Sequence, residues 1–284
     1  KALDWFEFPR TILKTDADGL AHWFSDGEMN TAYMALDCHV KNGRGNQIAL
    51  IYDSPVTGKK ISYTYAELTD LVARTAGMLS NLGVCKGDRV IIYMPMIPEA
   101  VISMLAVARL GAIHSVVFGG FAPAELAVRI NDALPKVILS ASCGIEVKRI
   151  IEYKPLLDQA IHIARHRPDC CVIFQRPECI AKLTEGFDHD WASLLAQAKA
   201  VDCTPVKGSD PLYILYTSGS TGKPKGVVRE NGGHAVALKY SMKTIYNADP
   251  GDVFLAASDV GWVVGHSYIV YGPLLHGCTT IVYE

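Results

Sequence analysis

Stretches typical of buried strands alternate with amphipathic helices over most of this chain, and this alternation limits the folds open to it. Between residues 89 and 140 the predicted elements are strand Arg89–Met94, helix Pro98–Leu110, strand Ile113–Phe118, helix Pro123–Ala133 and strand Val137–Ser140. Strands separated by single helices pair in parallel through right-handed crossovers, with helices on both faces of the sheet. The sequence therefore predicts an α/β fold.

The alternation extends in both directions from this region. Thr64 to Glu67 has the capping-box pattern of a helix start, and Gly83 follows the last apolar position of that helix. The later predicted elements are strands at 172–174 and 212–216, a helix at 234–245, a strand at 253–257, a helix at 267–275 and a strand at 279–283.

A loop rich in glycine, hydroxyl groups and lysine follows the predicted strand at 212–216. Residues 216–226 read Y-T-S-G-S-T-G-K-P-K-G. Glycines let backbone N–H groups approach an anion, while hydroxyls add donors and lysines add positive charge. A mobile Ser/Gly linker is the alternative, but such linkers rarely contain Lys-Pro-Lys or follow a buried strand. The sequence predicts a phosphate loop formed by Thr217, Ser218, Gly219, Ser220, Thr221, Gly222, Lys223 and Lys225.

This loop differs from the Walker A pattern G-x-x-x-x-G-K-[ST]. Thr217 stands five residues before Gly222, where Walker A has glycine, and Pro224 follows Lys223, where a hydroxyl would contact Mg²⁺. Pro224 also biases Lys223 away from the α region. We therefore expect no helix to start at the Gly-Lys pair.

Composition limits the possible partners. With 284 residues, 50% hydrophobic and 20% charged, the chain can bury a sizeable core in one or two domains. A formal charge of −2 gives no electrostatic reason to expect nucleic acid or an acidic membrane surface. The apolar stretch 100–108 is too short to span a bilayer, and no secretory h-region opens the chain.

The cysteines predict a reducing environment and no metal site. The chain has eight cysteines, with no C-x-x-C pair and no histidine at zinc spacing. Cys170 and Cys171 are adjacent in a strand-like run, where successive side chains point to opposite faces. Free thiols are typical of the cytosol or the mitochondrial matrix.

The phosphate loop resembles the signature of the adenylate-forming superfamily, which includes acyl-CoA synthetases, luciferases and peptide-synthetase adenylation domains. Residues 117–121 (V-F-G-G-F) and 258–268 (S-D-V-G-W-V-V-G-H-S-Y) resemble the acetyl- and propionyl-CoA synthetases, and the likeness covers nearly the whole chain. Residues 261–271 resemble the propionyl-CoA synthetases most, because acetyl-CoA synthetases typically carry threonine at the position of Val264.

The resemblance implies a Rossmann-like fold and a reaction in two halves. A carboxylate attacks the α-phosphorus of ATP, with Mg²⁺, to give an acyl-adenylate and pyrophosphate, and the thiol of coenzyme A then takes the acyl group. The phosphate loop would hold the β- and γ-phosphates. The resemblance assigns the acyl pocket to Trp262, Val263 and Val264, and coenzyme A contacts to Phe118, Gly119, Gly120, Arg149 and Val264.

Each assignment has a structural alternative. Gly119 and Gly120 can serve as a strand-to-loop turn, and Trp262 as a core aromatic. His114 and His266 can be structural histidines, and we give neither an acid or base role. Asp259 can cap the following helix. Glu146 stands where acetyl-CoA synthetases place an arginine, so a coenzyme A contact by the stretch 146–149 stays open.

The resemblance also divides the chain. It implies an N-terminal segment at 1–45 and the first part of the AMP-binding large domain at 46–284. The family's Tyr-Gly-x-Thr-Glu segment, its T-G-D motif and its C-terminal lysine domain do not occur in the sequence. We therefore expect the chain to be the front part of a longer short-chain acyl-CoA ligase and to be inactive alone. We assign no catalytic residue within it, and the sequence predicts no oligomeric state. A non-catalytic nucleotide- or coenzyme A-binding module is the alternative of another class.

Overall fold

The computed structural model describes residues 3–147, 149–217 and 224–284. Its strands are β1 (Leu13–Thr15), β2 (Ala21–Trp23), β3 (Glu28–Met29), β4 (Ile48–Ser54), β5 (Lys59–Thr64), β6 (Arg89–Met94), β7 (Ile113–Phe118), β8 (Val137–Ala141), β9 (Cys143–Glu146), β10 (Arg149–Glu152), β11 (Cys170–Phe174), β12 (Asp188–Asp190), β13 (Val206–Lys207), β14 (Pro211–Thr217), β15 (Lys225–Glu230), β16 (Val253–Phe254) and β17 (Thr279–Tyr283).

The helices of the described residues are α1 (Tyr65–Asn81), α2 (Pro98–Arg109), α3 (Pro123–Ala133), α4 (Tyr153–Ile163), α5 (Trp191–Gln197), α6 (Asn231–Thr244), α7 (Val263–Gly265) and α8 (Gly272–His276), with π-helical segments at Tyr33–Asp37, Val40–Arg44 and His266–Tyr271. Sequence signals explain several starts. Thr64 and Glu67 form the predicted capping box of α1. Proline occupies the first turn of α2 and α3, where its missing N–H is tolerated.

A seven-stranded sheet in the order β12-β11-β8-β6-β7-β14-β15 is the centre of the fold. All neighbouring strands of this sheet pair in parallel except the last two, β14 and β15, which pair antiparallel with each other. Alternate residues of β6 face opposite cores: Val90 and Ile92 join one apolar cluster, whereas Ile91 and Tyr93 join a second with α3 and α4. The predicted α/β fold with helices on both faces is confirmed.

A smaller sheet in the order β16-β17-β4-β5 packs beside the large one. Its strands β16, β17 and β4 are parallel, and β5 pairs antiparallel with β4. The buried Tyr65 hydroxyl donates to the Cys278 carbonyl at 2.7 Å and so connects the start of α1 to the residue before β17.

Strands β5 and β15, which are absent from the elements predicted from the sequence, pair antiparallel with β4 and β14. The connections 55–58 and 218–224 are too short for a crossover, since parallel neighbours need about a dozen residues between them. The predicted strand 253–257 is shortened to Val253–Phe254, and the predicted helix 267–275 belongs to a helical stretch at 263–276. All eight cysteines are free thiols in this structure.

Candidate active site at the carboxyl edge of the large sheet

Two neighbouring strands bring candidate residues from distant parts of the sequence to one edge. β7 and β14 are parallel, with Tyr213 opposite His114. Each strand runs four residues further, so Phe118 and Thr217 end their strands at the same level. The segments predicted to bind coenzyme A and phosphate therefore begin side by side.

The phosphate loop is a hairpin connection between β14 and β15. Its stem consists of the cross-strand pairs Tyr216 with Gly226 and Thr217 with Lys225. The predicted residues Ser218, Gly219, Ser220, Thr221, Gly222 and Lys223 lie outside the described residues. Lys225 begins a strand, and the following helix starts only at Asn231. The prediction that no helix follows the Gly-Lys pair as in a P-loop is thus supported by the element that follows.

The predicted acyl-pocket residues lie beside the predicted coenzyme A residue Phe118. Trp262, Val263 and Val264 open the helical stretch 263–276, and about half of each side chain is exposed, at 54%, 47% and 47%. The rings of Trp262 and Phe118 are 6.4 Å apart between centroids. Trp262 therefore lacks the burial of a core aromatic and is available at the surface of this edge.

A tight turn before α7 fixes Trp262 against β7. The Asp259 carboxylate accepts a hydrogen bond from the Gly261 N–H at 2.6 Å, and burial raises the pKa of this carboxyl. A Cβ on Gly261 would lie 3.2 Å from the Phe118 nitrogen, so the turn packs directly on the backbone of β7. Trp262 is the N-cap residue, without a side-chain cap. Asp259 thus shapes the turn and does not cap the helix.

Gly119 and Gly120 differ in what surrounds them. A Cβ on Gly119 would lie 2.1 Å from the Tyr153 hydroxyl oxygen, and one on Gly144 would lie 2.6 Å from the same atom. Tyr153 is buried and its ring stacks on Tyr93 at 4.9 Å between centroids. Packing alone therefore requires glycine at position 119. Gly120 is exposed.

Arg149 and Glu146 face each other across a short hairpin. β9 and β10 pair antiparallel, with Arg149 opposite Glu146, and Lys148 is outside the described residues. Arg149 is exposed, and a Cβ on Gly120 would lie 3.7 Å from a Glu146 carboxylate oxygen. The hairpin borders the loop of Gly119 and Gly120, with one charge of each sign in the strand pair next to its turn.

The two histidines named from the sequence are buried behind this edge. His114 Nε2 lies 2.5 Å from the Tyr271 hydroxyl, and His266 Nδ1 lies 3.1 Å from the Trp262 carbonyl. Burial lowers the pKa of His266 to about 4 and the pKa of His114 well below its ordinary value. Both rings are neutral at neutral pH, and the His266 Nδ1–H donates to the Trp262 carbonyl. These are the contacts of structural histidines.

Residues that the sequence analysis missed connect the candidate sites. The Arg129 guanidinium carbon lies 4.6 Å from the centroid of the Phe121 ring and 5.6 Å from that of Tyr216. The Tyr216 hydroxyl donates to the Asp132 carboxylate at 2.6 Å. Phe121 in turn meets Phe118 edge to face at 5.7 Å. Contacts therefore run from Trp262 through the coenzyme A loop, defined here as residues 118–121, to the stem of the phosphate loop. The sequence showed only that Arg129 and Asp132 are three apart on one helix.

Within the described ranges, no cluster of three or more His, Cys, Asp or Glu side chains could hold a metal ion. Nor does any helix there have the length and apolar character needed to cross a membrane.

Comparison with known proteins identifies the family from which these features come. The family described as AMP-binding enzyme matches residues 39–284. The chain belongs to this family. Three relatives match the whole chain or nearly all of it. An uncharacterized protein of Pseudomonas aeruginosa is 60% identical over 100% of the chain and 45% of its own length. The mitochondrial acyl-CoA synthetase short-chain family member 3 of Mus musculus is 53% identical over 99% of the chain and 42% of its own length, and the propionate–CoA ligase of Salmonella typhimurium is 46% identical over 100% of the chain and 45% of its own length.

A solved structure confirms the fold. The acetoacetyl-CoA synthetase from Streptomyces lividans matches with a TM-score of 0.89 and 26% identity, over 99% of the chain and 42% of that protein. The suspected adenylate-forming superfamily and its short-chain acyl-CoA synthetase relatives are thus confirmed. The chain spans less than half the length of the relatives it matches.

Proposed function

We propose that the full-length protein is an ATP-dependent short-chain acyl-CoA ligase that acts on propionate, releasing AMP and pyrophosphate. The observation that carries this proposal is the meeting of Trp262, Phe118 and the phosphate-loop stem at one sheet edge. The names of the relatives, which include a propionate–CoA ligase, support it. Val264 supports propionate over acetate, because its two methyl groups provide apolar contact for the extra carbon.

In the first half-reaction, an oxygen of the carboxylate forms a bond to the α-phosphorus of ATP while the bond from that phosphorus to the pyrophosphate oxygen breaks. Thr217 and Lys225, exposed at the stem, would place a hydroxyl and an ammonium beside the leaving phosphates. Trp262 and Val263 would hold the acid's alkyl chain against the coenzyme A loop. Mg²⁺ would be bound together with ATP and would neutralise charge on its phosphates.

In the second half-reaction, the thiol of coenzyme A loses its proton and its sulfur attacks the acyl carbon, and AMP leaves as the carbon–oxygen bond breaks. The thiol would approach over Gly120 and Phe118, with Arg149 beside the cofactor's phosphates. Neutral His266 would take no part in proton transfer, and its bond to the Trp262 carbonyl would hold the pocket in shape.

The remaining assignments extend this proposal. Residues 1–45 would be the N-terminal segment and 46–284 the first part of the AMP-binding large domain. Residues 1–284 alone would not form acyl-CoA, because the adenylation lysine that the family resemblance implies is not among them. The protein would be cytoplasmic, or in the mitochondrial matrix of a eukaryote, and would use no nucleic acid or membrane partner.

The test is to incubate the purified full-length protein with ATP, Mg²⁺ and acetate, propionate, butyrate or hexanoate, with and without coenzyme A. We expect acid-dependent pyrophosphate release and coenzyme A-dependent thioester formation, both highest with propionate. An optimum at acetate would make the protein an acetate–CoA ligase. Binding of ATP or coenzyme A without pyrophosphate release from any acid would indicate the non-catalytic module instead.

A further inference from the structure

We propose that Arg129 and Asp132 are positioning residues that hold the stem of the phosphate loop against the coenzyme A loop. This inference rests on the proposed function, since it assigns the residues that align the sites of its two half-reactions. Both residues lie on α3, the helix that follows the coenzyme A loop in the chain.

Arg129 is fixed from its own helix and presents its guanidinium to two aromatic rings. Only 7% of its side chain is exposed. It donates to the Glu125 carbonyl at 2.6 Å and to the Glu125 carboxylate at 3.0 Å. The guanidinium carbon lies over the Phe121 ring at 4.6 Å and over the Tyr216 ring at 5.6 Å from the centroids. A buried cation close to two aromatic rings attracts both through their quadrupoles, so it links the segments that carry them.

Asp132 fixes the stem through a hydrogen bond to Tyr216. Tyr216 pairs with Gly226, and the next pair, Thr217 with Lys225, closes the stem. Burial raises the pKa of Tyr216, so its hydroxyl stays protonated and donates to the Asp132 carboxylate at 2.6 Å. Because this bond lies one residue from Thr217, it limits movement of the stem relative to α3.

The coenzyme A loop is held at the other end of the linkage. The Phe121 N–H donates to the Phe118 carbonyl at 3.1 Å, which closes the loop as a turn. The Tyr93 hydroxyl donates to the Phe121 carbonyl, also at 3.1 Å. Arg129 thus contacts a ring of the coenzyme A loop and a ring of the stem, whereas Asp132 contacts the stem alone. The two residues should therefore differ in which half-reaction they affect.

The experiment measures the two half-reactions separately in the full-length protein. Adenylation is followed as propionate-dependent pyrophosphate release, and thioester formation is followed from synthetic propionyl-adenylate and coenzyme A. Tyr216→Phe and Asp132→Asn should raise the KM for ATP about three- to tenfold and leave the KM for coenzyme A unchanged, because they remove one charge-assisted hydrogen bond at the stem. Arg129→Gln should raise both KM values, and Arg129→Lys should do so less.

Arg167→Gln is the matched control. The Arg167 guanidinium lies 4.8 Å from the Phe187 ring, so the substitution removes a cation–π contact of similar distance, at an exposed arginine, that involves neither the stem nor the coenzyme A loop. It should leave both KM values unchanged. If Arg129→Gln does not fold, Tyr216→Phe, which keeps the ring and removes only a hydroxyl, still tests the linkage.

The inference is overturned if the KM for ATP is unchanged in Tyr216→Phe, or if Arg129→Gln lowers thermal stability while both KM values stay as in wild type. A wild-type protein that releases no pyrophosphate with any short acid overturns the proposed function instead. Equilibrium binding of ATP and of coenzyme A to the same variants then tests the linkage directly.

Discussion

Replacing Gly119 with alanine tests whether this glycine serves packing or ligand approach. The new Cβ would lie 2.1 Å from the Tyr153 hydroxyl oxygen and 2.7 Å from its Cζ. Ordinary contact requires about 3.5 Å, so Tyr153 would have to move by about 1 Å. It has little room, because the residue is 4% exposed and its ring stacks on Tyr93.

We expect Gly119→Ala to lower the free energy of unfolding by about 1 to 3 kcal/mol, the range for overpacked cores. Chemical denaturation of the full-length protein measures it. Tyr153→Phe removes the closest atom, so in that background the same substitution should be less destabilising by about 1 kcal/mol. Gly45→Ala is the control: its Cβ would meet neighbours at an ordinary 3.6 Å, so it should change stability by less than about 0.5 kcal/mol.

The alternative result is equally clear. If Gly119 is glycine only to admit coenzyme A, the alanine variant keeps its stability and raises the KM for coenzyme A. An unchanged denaturation midpoint for Gly119→Ala would refute the packing argument, whatever happens to activity.

Three further predictions concern the site and its surroundings. Lys223→Ala should slow adenylation roughly 100-fold and thioester formation from propionyl-adenylate far less, because pyrophosphate has left before coenzyme A attacks; equal slowing would mean a structural loop. Acetate should be used at roughly a tenth to a hundredth of the kcat/KM of propionate, and Val264→Thr should narrow this gap by less than about tenfold; steady-state kinetics with both acids decides it. Burial raises the pKa of Glu99 from 4.5 to about 7. The folded protein holds this proton more tightly than the unfolded chain does. The free energy of unfolding should therefore fall by up to about 3 kcal/mol as the pH rises from 4.5 to 7 in wild type, but not in Glu99→Gln, as measured by denaturation across pH.

Much of the fold was accessible from the sequence because its signals are local. Apolar runs such as 89–94 and 113–118 and the capping box at Thr64 depend on nearest neighbours in the chain. Strands β5 and β15 were not predicted, because most of their residues are exposed and show no apolar alternation. Their antiparallel direction depends on the length of the connection to the preceding strand. Four of the six residues of β5, and five of the six of β15, are exposed.

The candidate site was predictable only where a motif marked it. The phosphate loop and residues 258–268 have unusual composition, whereas Tyr153, Arg129 and Asp132 stand in ordinary helical sequence. Their roles come from contacts across 34 residues from Tyr153 to Gly119, and 84 residues from Asp132 to Tyr216. A single sequence contains no signal for such pairs, because each helix would form equally well without them.

The linkage through Arg129 has a thermodynamic consequence that can be measured without turnover. If Arg129 couples the stem to the coenzyme A loop, a non-hydrolysable ATP analogue must change the affinity for coenzyme A by the same factor as coenzyme A changes the affinity for the analogue. Arg129→Gln should bring both factors toward one, while Arg167→Gln should leave them at the wild-type value. Titration calorimetry in both orders measures the two factors independently. Factors that stay at the wild-type value in Arg129→Gln would show that any coupling between the two sites passes elsewhere in the protein.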